Sequence, residues 1–169
     1  MQQRHQNREL YFREQVQTCR LHYIPYVQSF IRITSQTRVL EIGCGEGGNL
    51  LPFAQAGCRV TGIDLATTRI EEARRFFRQA KAKGTFLAAD ILQYAPVTKE
   101  TFDLILMHDV IEHIADKGQL LAAIKHLLSP GGLLFIAFPA WQMPFGGHQQ
   151  ICHHTLLAHL PFIHLLPRG

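Results

Sequence analysis

The sequence predicts an α/β fold: a doubly wound, mainly parallel sheet with helices on both faces. Three observations carry that expectation. Short apolar strand-like runs alternate with helix-like segments from Arg38 to Phe138, the order that builds a parallel sheet. The run Phe102–Met107 is apolar on both faces except at Asp103, as in a strand covered by helices on both sides. Between Arg38 and Leu50 the chain passes from a buried strand through a glycine turn into the start of a helix.

Taken in order, residues 1–34 read as one or two helices broken near Pro25, with Tyr11, Tyr23 and Tyr26 among their apolar positions. These tyrosines either pack on the sheet or form a lid, and packing is the leading reading. Val39–Ile42 is the first strand. Gly43, Gly45, Gly47 and Gly48 form the turn, and a helix opens at Asn49-Leu50 and ends near Ala56-Gly57, where glycine suits a C-terminal cap. Arg59–Asp64 is the second strand. Thr68-Arg69-Ile70-Glu71 has the spacing of a capping box, opening a helix with Ile70, Ala73, Phe77 and Ala80 on one face. Thr85–Ile91 is the third strand and Phe102–Met107 the fourth. A helix from about Asp116 to Leu128 leads through Ser129-Pro130-Gly131-Gly132 into a fifth strand, Leu133–Phe138.

Composition bounds the function classes. A chain of 169 residues with 47% hydrophobic and 18% charged residues suits one domain with a sizeable core. No apolar run approaches the ~20 residues of a membrane-spanning helix, and the polar N-terminus lacks a signal-type core, so a cytoplasmic protein is expected. Net charge is +4. The one dense basic group, Arg69, Arg74, Arg75, Arg78, Lys81 and Lys83, reads as a solvated helix face ahead of a nucleic-acid footprint. The four cysteines are widely spaced without a C-x-x-C pair, which fits reduced thiols better than a disulfide frame or zinc ribbon.

The candidate site follows from the glycine turn. Glycines there let backbone N–H groups and a helix N-terminus approach a ligand. Gly43, Gly45 and Gly48 satisfy G-x-G-x-x-G, weak evidence alone. Glu41 discriminates: a carboxylate at the strand mouth repels a pyrophosphate and attracts a ligand carrying an ammonium and a sulfonium, S-adenosylmethionine rather than NAD. Asp64 and Asp90 end the next two strands, and Asp64 lies about 20 residues past the turn, as a ribose-binding acid does.

Leu40-Glu41-Ile42-Gly43-Cys44-Gly45 resembles motif I of the class I S-adenosylmethionine-dependent methyltransferases. Gly62-Ile63-Asp64, Ala89-Asp90-Ile91, Phe102–Ile105, Val110–Ile114 and Leu128–Leu133 resemble the family's later segments. The nearest likeness is to small-molecule enzymes of ubiquinone and menaquinone biosynthesis. The resemblance implies a Rossmann-like sheet and a small-molecule acceptor, with no nucleic-acid partner expected and the oligomeric state open. It places Gly43, Gly45 and Gly47 around the methionine portion with Glu41 near its ammonium, Asp64 at the ribose, and Cys44 and Leu65 among the cofactor-binding residues. Asp90 and Ile91 fall at the adenine, and His108 near the methyl donor. An oxygen acceptor needs its proton removed, for which His108 and His113 are the catalytic candidates; O- or C-methylation is favoured.

Asp109, Glu112 and His113 share i, i+3, i+4 spacing, which on a helical turn could hold a divalent cation. The competing reading, that Glu112 and His113 brace the turn, is preferred and no metal is assigned. The family sheet has seven strands, and the last two are not found in 140–169, so a truncated sheet is expected. The domain reading is 1–34, an N-terminal helical lid or packing segment; 35–139, the cofactor-binding domain; and 140–169, a His- and aromatic-rich segment. That last segment holds Trp141, Phe145, His148, Cys152, His153, His154, His159 and His164, read as an acceptor pocket or lid ahead of a metal site. Two alternatives remain open, a nicotinamide-dependent oxidoreductase and a non-catalytic cofactor-binding domain.

Overall fold

The computed structural model describes residues 7–140, 143–144, 160–162 and 165. The tail histidines, Trp141, Phe145 and Cys152 lie outside these. Two compact units divide at Phe138. In the smaller, described residues form turns: Met143 N–H donates to Ala140 O at 3.1 Å and Leu165 N–H to Phe162 O at 3.0 Å.

The larger unit holds the sheet. Its strands are β1 (Arg38–Ile42), β2 (Arg59–Asp64), β3 (Thr85–Ala88), β4 (Phe102–His108) and β5 (Leu128–Ala137), in the order β3-β2-β1-β4-β5. All neighbouring pairs are parallel. The chain order reverses between β1 and β4, and such a switch point opens a crevice at the carboxyl ends of the strands. Among the described residues no strand pairs with β5 on its far side, and no helix is long and apolar enough to cross a membrane.

Side chains alternate across each strand, so the apolar runs feed two cores. Val39, Val60, Leu104 and Leu106 face one layer with Leu50, Phe53, Ile70, Phe76 and Phe77. Leu40, Ile63, Ile105 and Met107 face the other with Leu120, Ile124 and Leu127. The first layer comprises the helices α1 (Arg8–Thr18), α2 (Ile24–Gln28), α3 (Leu50–Gln55) and α4 (Thr67–Gln79); the second contains α5 (Ile91–Tyr94) and α6 (Lys117–Leu127).

Several boundaries differ from expectation for identifiable reasons. Pro25 does not break the N-terminal helix. A π-helical turn, Cys19–Tyr23, precedes it, the Ile24 N–H reaches back to Cys19 O, and Pro25 sits in the first turn of α2 where its missing N–H costs little. The capping box at Thr68 and Glu71 does not form. Helix α4 starts at Thr67 with Ala66 at the cap, because Asp64 Oδ1 already accepts the Ala66 N–H at 2.9 Å. β3 ends at Ala88, since Asp90 caps α5 through the Leu92 N–H at 2.9 Å. Ser129–Gly132 is a bulge inside β5 and not a turn before it: Phe102 pairs with Leu128 and Leu104 with Leu133.

Helix α1 packs directly on the glycine turn. Phe12 stacks on Phe76 with ring centroids 4.3 Å apart, and the Cys19 thiol donates to Asn49 O at 3.1 Å. A Cβ at Gly48 would stand 2.8 Å from the Phe12 carbonyl oxygen and 2.6 Å from Gln15 Cβ. Gly48→Ala is therefore expected to cost about 1–3 kcal/mol by overpacking, read by urea unfolding, and to raise amide exchange in residues 8–18 above that of β1.

Candidate functional site

The turn after β1 turns on three left-handed glycines, Gly43 (φ +69°), Gly45 (+52°) and Gly47 (+77°), a region costly for residues with a Cβ. A Cβ on Gly43 would lie 2.3 Å from Val110 Cγ2, so the position is closed by packing as well as by backbone. Cys44 points inward and is buried, and burial pushes its thiol pKa up. Only its backbone can face a ligand.

Beneath this turn lies Glu41, 1% exposed, on the same strand face as Val39. Its Oε1 accepts from Asn49 Nδ2 at 2.8 Å, while Oε2 is buried without a partner among the described residues. Burial raises its pKa from 4.5 to about 8, the Asn49 bond opposing and the Asp64 charge adding. An unsatisfied buried carboxyl oxygen calls for an explanation, and an ammonium group would supply one.

Asp64 ties the turn to β2: Oδ2 accepts the Gly45 N–H at 2.9 Å and Oδ1 the Ala66 N–H at 2.9 Å. A carboxylate has further lone pairs for ligand hydroxyls. A cavity of about 130 Å³ opens beside it, lined by Gly43, Asp64, Leu65, Asp90 and Ile91 together with Val110 and Ile114. The structure thus brings together the residues expected at ribose and adenine, with Leu65 74% exposed at the rim.

On the far side of the switch point, Ile42 pairs with Met107, so His108 leaves the sheet beside Gly43. His108 Nε2 lies 3.6 Å from Asp109 Oδ2, and the Tyr23 ring stands 5.8 Å from the imidazole. Asp109 holds a left-handed backbone (φ +53°) and its N–H bonds Ala137 O at 2.9 Å. Burial first, then the Asp109 charge, pushes the Tyr23 pKa up to about 12 and raises that of Tyr11. Tyr23 also packs on Phe135, 4.9 Å between centroids.

Asp109, Glu112 and His113 do not share a helical face. Asp109 precedes the turn in its left-handed conformation, and Ile111–His113 is a single 3-10 turn. Among the described residues no three His, Cys, Asp or Glu side chains gather as a metal site. The His113 side chain is 60% exposed, 3.9 Å from Glu112.

Two features escaped sequence reasoning. Val110 and Ile114 line the cavity, although the segment's polar residues drew the attention. Glu46, inside the glycine turn, is fully buried and ion-paired to Arg8 at 3.2 Å and Arg69 at 2.8 Å, so it joins α1 to α4. Its partners are 38 and 23 residues away in the chain, and no local pattern signals them.

Residues 40–136 match the family described as Methyltransferase domain. The chain is 34% identical over 103 residues to the ubiquinone biosynthesis O-methyltransferase of Rhodopseudomonas palustris (strain BisB18), covering 61% of this chain and 40% of that protein. It is 37% identical over 100 residues to the enzyme of the same name from Brucella anthropi, covering 59% and 40%. Coclaurine N-methyltransferase, solved with N-methylheliamine and S-adenosylhomocysteine, superposes with a TM-score of 0.63 at 30% identity, over 72% of this chain and 35% of that one. The chain belongs to the class I S-adenosylmethionine-dependent methyltransferases, within the Methyltransferase domain family. It spans about 40% of the length of the curated relatives it matches. The nicotinamide-dependent alternative finds no support among these relatives.

The Glu41 pKa has a testable consequence. Its folded value lies above the ordinary one, so its contribution to stability is complete below pH 4.5 and is lost as pH rises through about 8. Glu41→Gln, isosteric with the neutral acid, is expected to match wild type within about 1 kcal/mol near pH 5. Above about pH 8 it should exceed wild type by roughly 2–4 kcal/mol, at ~1.4 kcal/mol per pKa unit. Urea unfolding at the two pH values checks the sign.

Proposed function

We propose that this chain transfers a methyl group from S-adenosylmethionine to a hydroxyl of a small-molecule acceptor. The observation that carries the reading is the Glu41 oxygen buried under a glycine turn without a partner among the described residues, beside a cavity whose rim supplies Asp64 and Asp90. In this reading Glu41 pairs with the cofactor's ammonium, Asp64 accepts the ribose hydroxyls, and Asp90 with the Ile91 backbone receives the adenine edge. Leu65, Val110 and Ile114 give the apolar walls.

The cofactor supplies a methyl group already bonded to a good leaving group, so the chain's task is alignment, exclusion of water and removal of one proton. His108 takes the acceptor's hydroxyl proton, and the Asp109 carboxylate beside it stabilises the imidazolium that forms. Tyr23, half-buried against His108 and Phe135, supplies an aromatic wall for the acceptor. The family's named O-methyltransferases support the choice of oxygen. His113, exposed and turned to Glu112, is left without a role in the proton transfer.

Calorimetric titration with S-adenosylhomocysteine tests the cofactor half. Saturable binding is expected, with NADH silent. Asp64→Ala and Asp90→Ala, verified as folded by circular dichroism, should each bind about 10–100-fold more weakly, the loss of a hydrogen bond to a charged group. Folded wild-type protein that does not bind the compound would sink the proposal. Binding that never leads to a methylated product across phenolic and catecholic acceptors would favour a non-catalytic cofactor-binding domain.

A further inference from the structure

The end of the sheet opposite the glycine turn carries a second concavity. A groove of about 1030 Å³ crosses the N-terminal ends of β1, β2 and β4 and the turn before β3. Among the described residues four cations line it, Arg38, Arg59, Lys81 and Lys83, against one carboxylate, Glu100, which already accepts from the Tyr94 hydroxyl at 3.0 Å. β1 and β2 run from this groove to the cofactor cleft, so the two concavities occupy opposite ends of the same strands.

The charges are placed against their own electrostatic interest. Arg38 and Arg59 are register partners at the heads of adjacent parallel strands, about 4.8 Å apart along the hydrogen-bonding direction, where like charges destabilise the pair. Arg38 is held by Asp103 at 3.6 Å and by a bond to Ser129 Oγ at 3.1 Å. The side chains of Arg59, Lys81 and Lys83 make no hydrogen bond or ion pair with any described residue. Of the basic residues of the neighbouring helix, Arg69 binds Glu46, Arg74 bonds Phe86 O and Arg75 pairs with Glu72, while Arg78 is exposed away from the groove lining.

Lys81 adds an independent sign. It follows the C-cap of α4 with a left-handed backbone (φ +52°), the position where helices prefer glycine. A lysine there is strained relative to glycine, yet it sets a cation on the groove wall.

We propose that this groove binds a small polyanion with contiguous phosphate groups, either free polyphosphate or the phosphate chain of a nucleotide. The Arg59 guanidinium fork and the two lysine ammonium groups suit phosphate oxygens, and the concave shape suits a discrete molecule over a flat lipid surface. Phe102, the one aromatic among the described lining residues, is 3% exposed and offers no face for stacking bases, which disfavours single-stranded nucleic acid.

Calorimetry with inorganic tripolyphosphate at low ionic strength tests this, with ATP run in parallel. Saturable tripolyphosphate binding is expected, weakened about tenfold or more in a Lys81→Glu, Lys83→Glu protein, while S-adenosylhomocysteine binding is unchanged. A control with the same charge change elsewhere, Arg13→Glu with Lys125→Glu, should keep wild-type affinity. Lys81→Gly should bind more weakly while unfolding at higher urea concentration, which separates lost recognition from lost folding. ATP binding as tight as tripolyphosphate points to the phosphate chain alone, and tighter binding to a nucleotide; both uphold the site. Absence of saturable binding, or an equal loss in the control, overturns it.

Discussion

Glu41 lies on β1 facing the layer of α1, α3 and α4, and its burial constrains what surrounds it. A carboxyl group removed from water needs hydrogen-bond partners, and Asn49 at the head of α3 provides one. That bond fixes how α3 leaves the glycine turn. The second oxygen stays open, and burial keeps the proton on the acid to about pH 8. The resulting site favours a cation that can approach through glycine backbone, which is the chemistry of an amino-acid ammonium.

The neighbouring charges are arranged around the same turn. Glu46 is buried within it but is compensated by Arg8 and Arg69, so the acid in the turn and the acid on β1 beneath it behave differently. One is paired by arginines that fasten α1 and α4 over the turn; the other has no cation beside it among the described residues. Asp64 draws Gly45 and Ala66 together through its two oxygens and thereby sets the distance between the turn and the cavity beside β2. Breaking a buried pair such as that at Glu46 is costly, which makes the turn a rigid seat and α1 part of its frame.

Much of this was legible in the sequence, for physical reasons particular to each element. The ends expected for β2 are the observed ones, and those of β1 and β4 agree to within a residue, because short, largely apolar runs between glycine, charged and helical segments admit few other structures. Gly43, Asp64, Leu65, Asp90 and Ile91 were expected at one site and line one cavity. The errors arose where one local pattern serves two structures. Asp90 ends a strand-like run, but an aspartate two residues before a free N–H also caps a helix, and capping won. Thr68 and Glu71 had capping-box spacing, yet Asp64 had already taken the N–H that sets the helix start. The π-helical turn before Pro25, the β5 bulge and the Glu46 ion pairs depend on partners distant in the chain or on a shift in hydrogen-bond register, neither of which periodicity records.

The proton balance of ligand binding tests the central claim about Glu41 most directly. Titrating S-adenosylhomocysteine at about pH 6.5 in two buffers of different ionisation enthalpy measures the protons exchanged on binding. If the ligand's ammonium pairs with Glu41, a carboxyl that is protonated in the free protein must ionise. Close to one proton should then be released by wild type and none by Glu41→Gln. Tight binding by wild type with no proton released would contradict the account, because the carboxyl would then be either already ionised or untouched by the ligand.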